Sequence, residues 1–370
     1  MKTVKNFIKS MVYFFSKKCI VFESCPDMGD NSKAVFDEMI RRKLNKKYKL
    51  VWLIFDDNVD YPKIYNVEYV KKETKKYRKT ILTAKCFICS NRFVYSDVAK
   101  QKSFFLTHGM YVKNPKEYYK VPDEIDYCLS ASEGLKEIQA NAISAPIEKM
   151  FALGYPRNDV LTETKMDLSK FFGNYNKYIV WYPTFRQHNS GMGTGSKHAF
   201  PIVWNKEYAT KLNDYAKKTD TLIVLKPHFA QDVSKIKNWE LDNLRIISDS
   251  FFIENNITSY QFVASCDALL TDYSSIYFDY TLCDKPIGLI WEDYEDYEKN
   301  PGFAFDMKYY MQGGEKIYSV EELCSFIQNV ADGVDVLQED RRKIRDVANF
   351  SIDGKSAMRV TDFIIKKAKL

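Results

Sequence analysis

Short apolar runs punctuate this chain at intervals that suit strands alternating with helices. The first set comprises Cys19 to Phe22, Leu50 to Phe55, Phe87 to Cys89, Phe104 to Leu106, Tyr127 to Leu129 and Phe151 to Leu153. Helical segments separate them, and this alternation predicts a mostly parallel sheet with covering helices. A charged, turn-rich passage at residues 162–177 interrupts the pattern. It restarts with Tyr178 to Trp181, Leu222 to Leu225, Leu244 to Ile247, Ala268 to Leu270 and Ile287 to Ile290. Two α/β domains are therefore expected, joined near residue 170: residues 19–170 and residues 171–335. From about Val320 the chain reads as helical. Residues 336–370 should form C-terminal helices, the last placing Ala357, Val360, Phe363, Ile364 and Ala368 on one side, so that it can return to the first domain.

Residues 1–18 show a different periodicity. Val4, Phe7, Ile8, Met11, Val12 and Phe15 fall on one helical stripe, with Lys2, Lys5, Lys9, Lys17 and Lys18 around them. Lys9 interrupts the apolar stretch and no small-residue cleavage site follows, so a signal peptide is not expected. Two readings stay open: an interfacial helix on anionic lipid, and an amphipathic helix packed on the protein's own body. No window approaches the 18 or more uncharged apolar residues of a membrane span.

Composition narrows the class. At 370 residues the chain exceeds the usual limit of one core, and 14 Gly with 11 Pro argue against a fibrous or disordered protein. The net charge of +6 arises from 55 basic and 49 acidic residues, too even a balance to mark a nucleic-acid binder. Eight cysteines lie mostly within apolar runs, as buried thiols do in a reducing compartment, and no disulfide is expected. Cys86 and Cys89 form a C-x-x-C without a second pair, so core packing is favoured over a metal site. No metal and no cofactor is expected.

Candidate chemistry gathers where apolar runs end. Thr271-Asp272-Tyr273-Ser274-Ser275 follows Ala268 to Leu270 and opens a helix. Such a turn offers backbone N–H groups, a helix dipole and the hydroxyls of Thr271, Ser274 and Ser275 to a phosphate; the plainer reading is a helix cap. His108 and His228 each stand just beyond an apolar run, two of only four histidines. Gly109 permits close approach of a ligand beside His108. Arg186 closes Tyr182-Pro183-Thr184-Phe185-Arg186, where a guanidinium can grip phosphate oxygens. Arg157 and Asp159 lie in the turn Gly-Tyr-Pro-Arg-Asn-Asp at residues 154–159, and Asp30 with Asn31 precedes a helix, where capping is the plain explanation. His188 and His198 fall in the polar segment of residues 187–200 and receive no role. In open α/β sheets ligands bind beyond the carboxyl ends of strands, which places the expected site in a cleft between the two domains.

These motifs carry a family resemblance. Phe22-Glu23-Ser24 with Asp30-Asn31, His108-Gly109, Ser132-Glu133, residues 154–159, Pro183-Thr184-Phe185-Arg186, Pro227-His228, Thr271 to Ser275 with Phe278-Asp279, and Lys285-Pro286 occur in the order found in CDP-glycerol glycerophosphotransferases of teichoic-acid and capsule biosynthesis. The chain resembles that family over nearly its whole length, departing at Thr107, where relatives often carry Trp, and in residues 187–200. The resemblance implies a GT-B architecture: two Rossmann-like domains with mostly parallel sheets on either side of a central cleft, acceptor side first and donor side second. It implies that His108 is the general base and that His228, Arg186, Thr271, Ser274 and Ser275 bind the donor diphosphate, with Gly109, Arg157, Asp30 and Asn31 lining the site. The implied partners are CDP-glycerol or a similar CDP-polyol, a lipid-linked saccharide or polyol-phosphate acceptor and an anionic membrane surface, but no nucleic acid. The implied location is cytoplasmic, peripheral on the inner face of the cell membrane. The alternative is a GT-B glycosyltransferase using a nucleotide sugar.

Overall fold

The computed structural model describes the chain apart from residues 1–12, 14–17, 56–58, 97–99, 114–119, 164, 187–199, 204, 229, 230, 232, 234, 235, 237, 238 and 240. The stripe of residues 1–18 and the segment 187–200 with His188 and His198 thus fall almost wholly outside the described residues. Two compact units are formed. Unit 1 comprises Met1–Met110, Lys116–Asp159 and Asp353–Leu370; unit 2 comprises Tyr111–Pro115 and Val160–Ile352.

Unit 1 is built on a parallel sheet of seven strands: β1 (Cys19–Glu23), β2 (Lys49–Ile54), β3 (Val67–Lys71), β4 (Ala84–Cys89), β5 (Lys102–Phe105), β6 (Tyr127–Ser130) and β7 (Met150–Ala152). Their order is β3-β2-β1-β4-β5-β6-β7. Helices cover parallel strands on both faces, which is why β1 and β4 read as nearly unbroken apolar runs. Phe22, Phe36 and Trp52 form the aromatic centre of one layer, with Phe22 and Trp52 stacked at 5.5 Å.

Unit 2 repeats the plan with β8 (Lys177–Trp181), β9 (Thr221–Leu225), β10 (Leu244–Ile246), β11 (Ala268–Thr271), β12 (Ile287–Ile290) and β13 (Glu315–Ile317), ordered β10-β9-β8-β11-β12-β13. In each sheet the order reverses beside the first strand, between β1 and β4 and between β8 and β11. The chain segments leaving those strands part there and open a crevice at their carboxyl ends. Two strands have no apolar run to announce them. β3 and β13 are edge strands, and their sequences VEYVK and EKI are half-exposed.

The helix Ser356–Ala368 packs in unit 1, its Val360, Ile364 and Ala368 joining the core of β1, β2 and β4. Phe363 stacks on Phe151 at 4.2 Å and meets Tyr127 edge-on at 5.3 Å. Asp159 anchors the start of this helix by accepting from the Ser356 and Ala357 amides, both at 2.8 Å. These are orphan donors of a first helical turn, so a carboxylate there does the work of a cap. All eight cysteines are free thiols. No described helix is long and apolar enough to cross a membrane.

Candidate active site

In unit 1 the residues singled out from the sequence meet at the carboxyl ends of β1, β4 and β5. Thr107 and Gly109 both have positive φ, +56° and +126°, on either side of His108. Positive φ is costly for a β-branched residue, and the Thr107 hydroxyl is moreover buried without a hydrogen-bond partner. That strained kink leaves the His108 side chain exposed while both neighbours are buried.

Asn31 holds the kink in place. Its fully buried amide donates to the carbonyls of Leu106 and Thr107 at 3.1 and 3.0 Å and accepts from the Arg157 amide at 3.1 Å. Arg157 in turn donates to the His108 carbonyl at 2.7 Å and to Asp30 at 2.9 Å. Capping, the plain expectation for Asp30 and Asn31, is met only by Asp30, whose carboxylate accepts from the Asn31 amide at 2.7 Å within the first turn. The N-cap is Gly29 without a side-chain cap, and Asp30 is itself the first helical residue, at φ +59°. Asn31 is instead a rivet through three chain segments.

The His108 pKa is lowered, first by desolvation from the surrounding protein and also by Arg157, while Asp30 and a hydrogen bond to the Ser90 backbone pull it upward. The hydrogen bond to the Ser90 backbone helps to orient the imidazole, a ring whose ordinary pKa near neutrality suits a general base. Glu23, buried beneath the same edge, accepts from the amides of Asn91 and Arg92, and burial raises its pKa.

In unit 2 the sites converge on β8, β9 and β11. Thr271 is buried and its hydroxyl donates to the Tyr182 carbonyl at 2.8 Å, tying β11 to the segment after β8. Asp272 accepts from the Thr184 amide and hydroxyl and from Arg186. Arg186 also donates to both oxygens of Asp293, at 2.7 and 3.2 Å. Burial opposes its charge, but Asp272 and Asp293 outweigh that and raise its pKa. The sequence reading has Arg186 and Thr271 meeting phosphate directly; in this structure both are buried and committed to other partners. Arg186 has no exposed side-chain surface and is saturated with carboxylates, and Thr271 faces inward. Both tie the turn to neighbouring segments.

Ser274 and Ser275 are the half-exposed members of that turn, and neither hydroxyl bonds to another described side chain or carbonyl. The helix they precede, Ile276–Tyr280, has only five residues, so the helix-dipole part of the expected cradle is small. His228 is exposed beyond β9, its ring 5.2 Å from Phe185. Desolvation lowers its pKa, reinforced by Lys226 and Lys113 and opposed by Asp249.

Sequence reasoning missed three contributors. Asp272 lay inside a quoted motif and Asp293 just beyond an apolar run, so a search for charged residues at strand ends would have found both. Lys113 carried no such signal, because it lies five residues after His108 in sequence yet belongs to unit 2.

Two Rossmann-like units, each with its switch-point crevice, define the GT-B class. A solved structure of the wall teichoic acid polymerase TagF is similar to the whole chain, with a TM-score of 0.75 at 22% identity, covering 100% of this chain and 96% of that one. The family model described as CDP-glycerol:poly(glycerophosphate) glycerophosphotransferase matches residues 5–366, and the chain belongs to that family. A teichoic acid poly(glycerol phosphate) polymerase of Bacillus spizizenii is 26% identical over 326 residues, 79% of each chain. One of the same name from Staphylococcus epidermidis is 26% identical over 321 residues, 76% of this chain but 41% of that protein, so the chain spans less than half of it.

Proposed function

We propose that this chain transfers glycerol phosphate, or a related polyol phosphate, from CDP-glycerol to a hydroxyl of a lipid-linked cell-wall or capsule precursor, releasing CMP. The observation that carries the reading is His108: an exposed imidazole on a strained, riveted strand end, held by the Ser90 backbone. Family membership supplies the donor class.

His108 takes the proton of the acceptor hydroxyl as its oxygen attacks the glycerol-bearing phosphorus. The new P–O bond forms as the bond to the CMP oxygen breaks, and the electron pair leaves with CMP. Phosphoryl transfer needs positioning and charge stabilisation more than covalent help. Ser274, Ser275 and His228 of unit 2 bind the diphosphate in this reading, with Arg186, Asp272 and Asp293 fixing the backbone that presents the serines.

An anionic membrane surface is part of the proposal, as is a cytoplasmic location on the inner face of the membrane. Supporting it, Lys18, Lys46, Lys47, Lys49, Lys76 and Lys79 line a groove of about 1030 Å³ in unit 1, with Glu68 between Lys49 and Lys76. A net-positive groove continuous in chain with the lysine-rich residues 1–18 suits anionic headgroups.

Product analysis tests the reaction. Incubation with CDP-glycerol and a defined acceptor should release CMP, and His108→Ala should lower kcat about 10²–10⁴-fold, the usual contribution of a positioned base, with little change in donor affinity. Release of a nucleoside diphosphate from a nucleotide sugar instead, or full turnover by the Ala variant, would defeat the proposal.

A further inference from the structure

Unit 2 includes five residues from early in the sequence, Tyr111–Pro115. Main-chain contacts hold them there. The Val112 carbonyl accepts from the Ala304 amide at 2.9 Å, and Lys113 pairs with Phe303 in an isolated antiparallel bridge. The bridge delivers the Lys113 side chain to the aromatic cluster beyond β12, its ammonium 5.8 Å from the centre of the Tyr297 ring. Tyr297 stacks on Phe303 and lies 4.3 Å from Tyr273, the residue just before Ser274 and Ser275.

This ammonium is uncommitted. Among the described residues no carboxylate forms an ion pair with Lys113, whereas Arg186 is paired with Asp272 and Asp293, and Lys226 with Asp249 at 2.8 Å. Asp272, the carboxylate whose charge reaches Lys113, already has both oxygens engaged by Thr184 and Arg186. The Lys113 side chain is exposed, and the Tyr297 hydroxyl beside it is buried without a hydrogen-bond partner. The charge of Lys113 is also felt at His228. Lys113 therefore stands near His228 as a cation with no ion-pair partner among the described residues. A lysine ammonium is a compact point charge suited to phosphate oxygens.

We propose that Lys113 is a diphosphate-binding residue of the donor site, placed to neutralise a nucleoside diphosphate-linked polyol beside His228. The inference rests on the donor reading above and adds a residue from the other side of the sequence division. The test is calorimetric binding of CDP-glycerol and of CMP to the wild type, Lys113→Gln and Lys113→Arg, with melting temperatures to verify folding.

Losing one charge-assisted contact should weaken CDP-glycerol binding about 10- to 100-fold in Lys113→Gln. CMP, which lacks the second phosphate, should lose less, and Lys113→Arg should stay near wild type. Lys113→Gln binding CDP-glycerol within about twofold of wild type, or losing CMP affinity equally, would overturn the assignment while leaving the donor reading intact. A wild type without affinity for CDP-glycerol would overturn both.

Discussion

Replacing Asn31 with Ala probes the rivet behind His108. The side chain makes three hydrogen bonds, all to backbone groups, at 3.0, 3.1 and 3.1 Å, and has no exposed surface. A hydrogen bond contributes about 1 kcal/mol net, and a buried group left unpaired costs about 1–3 kcal/mol. Three lost bonds therefore predict destabilisation of unit 1 by about 3 kcal/mol, read by native-state hydrogen exchange at the β1 and β4 amides. The strained Thr107–Gly109 kink would also relax, since Asn31 holds two of the carbonyls that precede His108. A misplaced base costs rate rather than donor affinity, so kcat should fall at least about tenfold with the donor Kd unchanged. Asn31→Asp should be worse than Ala, because it sets a carboxylate against two carbonyls that need a donor. Exchange rates within about 0.5 kcal/mol of wild type, together with an unchanged kcat, would refute the reasoning.

Further outcomes follow from other contacts. Asp272→Ala leaves Arg186 buried with one fewer carboxylate and should destabilise unit 2 by about 3–5 kcal/mol, measured by the same exchange method. Because the His108 pKa is lowered from 6.5, the neutral base persists below that pH, and the acid limb of kcat/KM should lie below pH 6.5. Asp30→Asn removes the carboxylate that opposes this lowering and should shift the limb to still lower pH; a shift upward would contradict it. In linkage terms, the folded state resists a proton that the unfolded state accepts. This group's contribution to stability is thus complete above pH 6.5 and declines as pH falls from there toward the folded pKa. Asp159→Ala uncaps the helix Ser356–Ala368 and should cost about 1–2 kcal/mol by thermal denaturation.

Much of this architecture is legible in the sequence because parallel strands covered on both faces cannot hide their apolar runs. β1, β4, β8, β9 and β12 are read directly, and His108 and His228 stand out because each follows where such a run stops. The edge strands β3 and β13 escape for the converse reason, since half their residues face water. What the sequence does not carry is commitment. Arg186 looks like a free cation at a strand end, and only coordinates show Asp272 and Asp293 holding it. Asn31 looks like a cap, because its partners Leu106, Thr107 and Arg157 are distant in sequence. Lys113 is invisible for a topological reason: neighbours in sequence are assumed to share a unit, and here a five-residue excursion breaks that assumption.

The placement of Ser356–Ala368 in unit 1 bears on how the molecule is made. During synthesis the strands β1 to β7 emerge first, yet the helix that covers Phe104, Tyr127 and Phe151 is translated only after the whole of unit 2. The nascent first sheet must therefore wait some two hundred codons with an aromatic face unshielded, an interval in which a chaperone has something definite to hold.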